Sequence, residues 1–245
     1  MPFYEREDEI LRLLNDGEVK SNGELAKKLF ISPQTLRRDL EKLEKKGLII
    51  RTHGGALPSH HPAHRHIPFF MREHEHSEAK DAIARMALQF IHDGDTIMLD
   101  GTTSAYALVP YLSSLKDITV ISSSAKACFL LGNMDINTIC TGGHMLTRSL
   151  SYIGDDAIRT LENYNADAVF FSCRGLSEDG LLTDPSIEEN LIRRSMMRQS
   201  KKKIFLCDST KLGKKYQHNL CRADRIDVIL CEKELPHIEG YGSEQ

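Results

Sequence analysis

The chain has 245 residues, of which 40% are hydrophobic and 27% charged, proportions typical of a globular protein in water. It contains no apolar run near the roughly 18 residues that a membrane span needs, and no export signal. Six cysteines occur without a C-x-x-C pair, which disfavours zinc and is typical of reduced thiols in the cytoplasm. The composition therefore predicts a cytoplasmic protein with no membrane partner, metal or cofactor.

The charge is unevenly distributed. Residues 27–51 contain eight basic and three acidic side chains, a local charge of +5 against −8 for the rest of the chain. A basic patch of this kind is typical of contact with a phosphate backbone, although a solvated helix face with internal ion pairs is an alternative.

Three helical patterns occupy the first 46 residues. The first ends at Gly17, and the second opens with Ser21 and Glu24 at capping-box spacing. Ser32 caps the third helix, with Pro33 at its first position, where a missing N–H is harmless. Two short helices joined by a turn predict a helix-turn-helix.

The third helix has an apolar and a polar face. Leu36, Leu40 and Leu43 fall within about 60° of one another and predict a buried stripe. The polar face begins with amide, hydroxyl and guanidinium groups, which suit base edges and phosphates in a major groove. An ion pair of either arginine with Glu41 is the alternative, worth about 0.2–0.5 kcal/mol. The residues predicted to contact DNA here are Ser32, Gln34, Thr35, Arg37 and Arg38.

A strand pattern at residues 48–50 and a glycine pair at 54–55 predict a β-hairpin after this helix. Beside a recognition helix such a hairpin is a wing that reaches the DNA backbone or minor groove, whereas a hairpin that only closes the small core is the alternative. The residues predicted to contact DNA from the wing are Arg51, Thr52, His53 and Gly54.

The combination of Arg6, "SPQTLRRDL" (32–40) and "RTHGGA" (51–56) resembles the N-terminal domain of the DeoR family of bacterial transcriptional regulators. The resemblance implies a winged helix-turn-helix with its motif at about residues 20–39. The residues to which it assigns DNA contacts are Thr35, Arg37 and Arg38. Residues 3–58 are therefore predicted to bind double-stranded operator DNA.

Residues 59–76 are rich in proline and histidine and are predicted to be a linker without a packed element. Two sets of its histidines could converge on a metal ion, either His61, His64 and His66 or His74 and His76. A solvated tract is favoured, because nothing in the sequence fixes their geometry. Phe69 and Phe70 are expected to dock onto a domain.

From residue 77 to 245, short apolar runs alternate with helical patterns. The runs are "TIMLD", "ITVIS", "NTICT", "DAVFFS", "KIFLC" and "DVILC". Most intervening segments are long enough for a crossover helix, so the sequence predicts an α/β domain with a mainly parallel sheet. Ligands bind such sheets beyond the carboxyl ends of the strands.

Small polar residues follow three successive strands, at 100–104, 122–124 and 141–143. Glycine and hydroxyl groups at a helix N-terminus can hold an anion, although an ordinary capped turn is the alternative for any one of them. Together the three turns predict a polar pocket for a phosphorylated small molecule. Lys211, after the fifth strand, either holds a phosphate or sugar oxygen or is a solvated loop charge.

The segments "DGTTS", "TGG", "YIGDDA", "RGL", "EEN…RRSMM" and "DSTKLG" are similar to the C-terminal domain of the same family. This resemblance implies the ribose-5-phosphate isomerase and glucosamine-phosphate deaminase fold and a sensor of phosphorylated sugars or related metabolites. The residues that it assigns to the phosphate are Asp100, Gly101, Thr102, Thr103, Ser104, Ser122, Ser123 and Ser124. Those that it assigns to the sugar end are Gly142, Gly143, Arg174, Gly175, Glu188 and Lys211.

The leading hypothesis is a regulator of carbohydrate-metabolism genes, most often a repressor, whose DNA affinity a phosphorylated sugar modulates. One recognition helix touches too few base pairs for selectivity, so a homo-oligomer, dimer or tetramer, is expected. A sugar-phosphate isomerase or deaminase with a DNA-binding domain is the alternative, but no paired-carboxylate loop clearly supplies the base. A third possibility is a second domain that only oligomerises. We expect no enzymatic activity.

Overall fold

The computed structural model describes residues 3–14, 20–46, 48–52, 54–58 and 69–242. The chain forms two compact units, Met1–Glu75 and His76–Gln245. The α-helices described are α1 (Phe3–Leu13), α2 (Asn22–Lys28), α3 (Pro33–Lys45), α4 (Phe69–His74), α5 (Ser77–Ala87), α6 (Thr103–Tyr106), α7 (Ala125–Asn133), α8 (Asp155–Glu162) and α9 (Ile187–Arg198). The strands are β1 (Lys20–Ser21), β2 (Ile49–Arg51), β3 (Gly55–Pro58), β4 (Thr96–Leu99), β5 (Thr119–Ser122), β6 (Asn137–Cys140), β7 (His144–Leu146), β8 (Ser151–Ile153), β9 (Ala166–Phe171), β10 (Gly175–Leu176), β11 (Leu181–Asp184), β12 (Ser200–Leu206), β13 (His218–Arg222) and β14 (Val228–Leu230).

The helix caps predicted for the first unit are both confirmed. The Ser21 hydroxyl accepts from the Glu24 amide at 3.2 Å, and the Glu24 carboxylate accepts from the Ser21 amide at 2.9 Å. The Ser32 hydroxyl accepts from the Thr35 amide at 3.1 Å and begins α3. Each cap satisfies N–H groups that a helix start leaves without partners. Gly17, predicted to end the first helix, lies outside the described residues, as does Gly47, the glycine expected to end α3.

The leucine stripe of α3 is confirmed, since Leu36, Leu40 and Leu43 are at most 1% exposed. An ion pair that the sequence did not reveal joins α3 to α1. The Arg6 guanidinium donates to the buried Asp39 carboxylate at 2.7 and 3.2 Å. The apolar stripe and this two-point contact fix the rotation of α3, so its polar side faces outward.

The predicted hairpin is present as β2 and β3, and it gains a third strand, β1, in the order β1-β3-β2. The Thr52 amide donates to the Gly55 carbonyl at 2.9 Å across the turn. A Cβ at Gly55 would lie 2.1 Å from the Lys20 carbonyl oxygen, so only glycine permits β1 to approach β3. His53 lies outside the described residues.

The predicted linker contains a helix. Residues 69–74 form α4, and Phe69 and Met71 are 1% and 7% exposed. α4 packs against α1 in the first unit. The prediction that 59–76 holds no packed element is therefore wrong for α4, because its apolar side chains are buried. The histidines at 61, 64 and 66 lie outside the described residues.

All six predicted strands of the second unit are confirmed, and they form one parallel sheet in the order β14-β12-β9-β4-β5-β6. Alternate side chains enter separate cores. Ile97 and Leu99 pack with residues of α5, α6 and α7, whereas Met98 packs with residues of α8 and α9. Helices on both faces confirm the α/β class, and the carboxyl ends of the strands lie along one edge.

Two small antiparallel sheets were not predicted. One is the β7–β8 hairpin, which follows β6, and the other has the order β10-β11-β13. Their strands are two to five residues long, too short for a clear alternating pattern.

No helix within the described residues is long and apolar enough to cross a membrane.

Candidate functional site

The outward face of α3 presents the polar groups that the sequence predicted. Gln34, Arg37 and Arg38 are exposed, and the Arg37 side chain retains 74% of its accessible surface. Thr35 is half-buried, and its hydroxyl lies 2.9 Å from the Ser32 hydroxyl at the cap. The N-terminal turn of α3 therefore offers an amide and two guanidinium groups to solvent.

The arginines on and beside this face differ in whether a carboxylate pairs with them. The Arg37 Nε lies 3.4 Å from the Glu41 carboxylate, as the alternative interpretation expected. The Arg51 Nη1 lies 3.4 Å from Glu41 and 3.7 Å from Glu44, so the wing arginine points back to α3. Arg38 has no ion-pair partner among the described residues. Of Arg37, Arg38 and Arg51, only Arg38 has a guanidinium that no carboxylate in the described part of the chain holds.

Phe30, in the turn between α2 and α3, is a feature that the sequence reasoning missed. Its side chain is 94% exposed, and its backbone has a φ of +52°. The left-handed conformation costs a bulky residue roughly 1–2 kcal/mol, and such strain collects at functional sites. The available signal was a large apolar residue two positions before the Ser32 cap, in a turn where glycine or asparagine is usual.

At the carboxyl edge of the parallel sheet, Lys211 contacts the turn that begins α6. Its Nζ donates to the Ser104 hydroxyl at 2.9 Å and the Ser172 hydroxyl at 2.8 Å, and it pairs with the Asp208 carboxylate at 2.8 Å. Burial would raise the pKa of Asp208, but the charge and hydrogen bond of Lys211 outweigh burial and lower it to about 2. Lys211, 13% exposed, is therefore held in place and not a solvated loop charge.

The hydroxyl-bearing turns use several of their groups internally. Thr102 caps α6 by accepting from the Ala105 amide at 3.3 Å. Ser124 caps α7 by accepting from the Ala127 amide at 3.2 Å, while Ser122 donates to the Leu99 carbonyl at 2.9 Å. The capped-turn alternative thus describes these three hydroxyls, whereas that of Ser104 faces Lys211.

The Asp100 carboxylate belongs to a buried ion cluster. It accepts from the Arg193 Nε at 2.9 Å, and the Arg193 Nη1 lies 3.1 Å from the Asp184 carboxylate. Burial opposes the charge on Arg193, but Asp184 and Asp100 outweigh it and raise the pKa of the guanidinium. Asp100 also accepts from the Thr102 and Ser172 amides at 3.1 and 3.2 Å, so its carboxylate organises the turn.

The β7–β8 hairpin lies against two of the turns. The Tyr152 amide donates to the Ser123 carbonyl at 2.7 Å, and a Cβ at Gly101 would fall 1.8 Å from the Ser151 hydroxyl. The space enclosed by these residues with Asp100 and Arg193 has room for roughly one water molecule. This space beside Gly101 is therefore too small for a phosphorylated sugar.

The residues predicted for the sugar end are spread over several elements. Gly142 and Gly143 have φ values of +63° and +100° and turn the chain from β6 into β7. Gly175 lies buried in β10, and the preceding Arg174 is half-buried. Glu188, in the first turn of α9, accepts from the Ser186 hydroxyl at 2.9 Å. The two glycines adjoin the β7–β8 hairpin, and Glu188 begins the helix that supplies Arg193.

Family models match both units. A DeoR-like helix-turn-helix domain matches residues 6–61, and a DeoR C-terminal sensor domain matches residues 75–233. The chain therefore belongs to the DeoR family, and it is a DNA-binding transcription regulator.

Relatives match over nearly the whole chain. An uncharacterized HTH-type transcriptional regulator of Bacillus subtilis, YulB, is 35% identical over 96% of this chain and 91% of its own length. The lactose phosphotransferase system repressor of Staphylococcus epidermidis is 30% identical over 98% of both chains. Among solved structures, D-ribose-5-phosphate isomerase in complex with phospho-erythronic acid aligns with 56% of this chain and 54% of its own, with 18% identity and a TM-score of 0.43.

Proposed function

We propose that the protein is a cytoplasmic, homo-oligomeric repressor of carbohydrate-metabolism genes, whose affinity for its operator falls when a phosphorylated sugar binds. The observation that carries the effector proposal is the position of Lys211, an ammonium group held on the Ser104 hydroxyl where a strand gives way to a helix. The name of the Staphylococcus epidermidis relative, the lactose phosphotransferase system repressor, supports the same assignment.

On the DNA side, the outward face of α3 enters the major groove and the wing lies along the backbone. Arg38 reads a base edge, since no carboxylate of the described residues competes for it, and Phe30 packs on a sugar or a thymine methyl beside the groove. The other residues proposed to contact DNA are Ser32, Gln34, Thr35, Arg37, Arg51, Thr52, His53 and Gly54. Two copies of the chain present two recognition helices to a repeated or palindromic site.

On the effector side, the phosphate binds to Lys211, the Ser104 hydroxyl and the turns at 100–104 and 122–124. The closed space beside Gly101 is too small for a sugar, so the β7–β8 hairpin must move away from the turns. The sugar end then meets the turn at 142–143, Arg174, Gly175 and Glu188. A ligand that binds only the opened hairpin shifts the population towards that state, and this shift is the signal that lowers DNA affinity.

Ion pairing of the buried carboxylates supports binding over catalysis. Isomerisation requires a carboxylate that can accept a proton from the sugar. Asp100 and Asp184 are both held by Arg193, and Asp208 is held by Lys211. Each of these carboxylates stabilises a buried cation instead of facing a substrate.

The test is a titration of operator-bound protein with ribose, fructose, glucose and glucosamine phosphates, followed by fluorescence anisotropy of the DNA. We expect one of these phosphates to release the DNA and to raise the melting temperature of the DNA-free protein, because a ligand of the native state stabilises it. The unphosphorylated sugars are the matched controls. Ser104→Ala and Lys211→Met should both weaken the response, and Ser104→Ala leaves the Lys211–Asp208 pair intact. A melting temperature that none of the phosphates moves contradicts the effector site, and turnover of any of them would establish an enzyme instead.

A further inference from the structure

Two cysteine thiols meet beside the 122–124 turn. Cys140 ends strand β6 and pairs in register with Ser122 of β5. Cys128 lies on α7, and its Sγ is 3.6 Å from the Ser122 carbonyl oxygen. α7 packs on β6, so both thiols adjoin the carboxyl end of strand β5. The parallel ladder and the helix packed on it thus bring together two thiols from different elements.

The two thiols differ in environment. Cys140 is exposed and Cys128 is half-buried. The neighbouring Cys128 thiol, and after it the Gly142 amide and the Tyr152 hydroxyl, outweigh partial burial and lower the pKa of Cys140 to about 6. The contact with Cys140 and burial raise the pKa of Cys128. At neutral pH the pair therefore consists of an accessible thiolate and an adjacent protonated thiol, the arrangement of an oxidisable cysteine with a resolving partner.

The other four cysteines provide an internal comparison. Cys173, Cys207 and Cys231 are buried and Cys221 is half-buried. Burial raises the pKa of all four thiols, that of Cys221 to about 12. Because the thiolate is the reactive form, these cysteines should react far more slowly with oxidants than Cys140.

We propose that Cys128 and Cys140 form a reversible disulfide, an oxidation-sensitive site that responds to hydrogen peroxide. The Cys140 thiolate attacks one oxygen of the peroxide and becomes a sulfenic acid, releasing hydroxide. The Cys128 sulfur then attacks the Cys140 sulfur; the S–S bond forms, the S–O bond breaks, and the Cys128 proton leaves with the hydroxyl group as water. The two thiols supply the two electrons that reduce the peroxide, and a dithiol reductant restores them by exchange.

The cross-link would join α7 to the end of β6. α7 follows the 122–124 turn directly, and Cys140 precedes the 141–143 turn. Oxidation would therefore tie together two of the turns proposed to bind the effector. The disulfide chemistry itself is independent of the proposed effector, since it requires only the two sulfurs and peroxide.

The experiment uses the full chain, reduced and freed of reductant, and treated with a small excess of hydrogen peroxide. Remaining thiols are alkylated, and the digest is analysed by mass spectrometry without reduction. We expect two of the six thiols to be lost, one intramolecular peptide pair joining Cys128 to Cys140, and full recovery with dithiothreitol. Before oxidation, alkylation of Cys140 should rise with pH around a midpoint near 6, instead of the ordinary value of about 8.5 for a thiol.

Two serine variants complete the design. Cys128→Ser should stop at a Cys140 sulfenic acid, which dimedone traps, whereas Cys221→Ser should form the same disulfide as the unchanged chain. If Cys140 in the unchanged chain is oxidised no faster than Cys221, the proposal is overturned. A disulfide that joins any other pair, or two separate chains, overturns it as well. Because the unchanged chain gives the main result, the proposal does not depend on the folding of a variant.

Discussion

The outward face of α3 and the carboxyl edge of the six-stranded sheet are both rich in polar side chains, but these side chains differ in what they bond. On α3 the guanidinium of Arg38 and the amide of Gln34 face solvent. At the sheet edge, Asp100 is held by Arg193, Ser104 by Lys211, and the turns are closed by the β7–β8 hairpin.

This difference indicates two modes of binding. The α3 face is preorganised, because caps and a leucine stripe fix the helix, so the proposed contacts with DNA require its polar groups only to exchange water for DNA. The sheet edge satisfies its own polar groups in the closed state, so a ligand must replace existing hydrogen bonds. If the effector binds there as proposed, binding is coupled to a rearrangement of the chain, which is what a sensor requires.

The largest effect that would sharpen this comparison is expected at Arg193. Arg193→Met removes the cation between two buried carboxylates, and breaking a buried ion cluster in this way costs about 3–5 kcal/mol. Urea denaturation should report this loss in free energy of unfolding. Arg198→Met, an exposed position on the same helix, is the control and should change stability by no more than about 0.5 kcal/mol. Equal stability of the two variants would mean that the cluster does not hold the sheet edge closed.

The next effect is expected at Arg38. Arg38→Ala should weaken operator binding by about 1–3 kcal/mol at fixed salt, because a guanidinium that reads a base edge contributes this much. The dissociation constant from anisotropy is the measurement. Arg12→Ala is the control, since Arg12 is an exposed arginine of α1 that pairs with Glu9. Unchanged affinity in Arg38→Ala would refute the proposed role.

Substitution of Phe30 should have smaller effects, which are opposite for stability and for DNA affinity. Phe30→Gly removes the strain of the left-handed backbone and should raise stability by up to about 1 kcal/mol. The same change removes the proposed apolar contact and should weaken operator binding several-fold. Thermal melting and anisotropy on one preparation check both signs. If affinity is retained while stability rises, Phe30 is only a strained turn residue.

The smallest effect is expected at Glu41, which pairs with Arg37 and Arg51 on the surface. Glu41→Gln should change stability by less than about 1 kcal/mol, since exposed pairs contribute little. Operator binding should strengthen modestly, with a steeper dependence on salt, because Arg37 loses its paired carboxylate and Arg51 loses one of its two, which leaves both cations more available to phosphates. Binding measured from 50 to 200 mM salt tests this, and weaker binding would show that Glu41 positions the two arginines for DNA.

The sequence predicted the elements whose cause is local. The capping residues Ser21 and Ser32, the leucine spacing of α3 and the six apolar runs each contain their own physical reason, namely hydrogen-bond caps or the periodicity of a buried face. Phe69 carried a weaker signal: its docking was expected, but the helix α4 was missed because six residues of mixed character show no clear period.

What the sequence alone determined is therefore the capped helices of the first unit, the winged helix-turn-helix, the six strands of the large sheet and the parallel α/β class, because neighbouring residues encode turns, caps and buried faces. Only the tertiary structure decided how the sheet edge is bonded. The partners of Asp100 and of Ser104 lie 93 and 107 residues away, and the hairpin that closes the turns comes from two strands of three residues each. Such pairings depend on which strand ends become neighbours, and no local pattern records that.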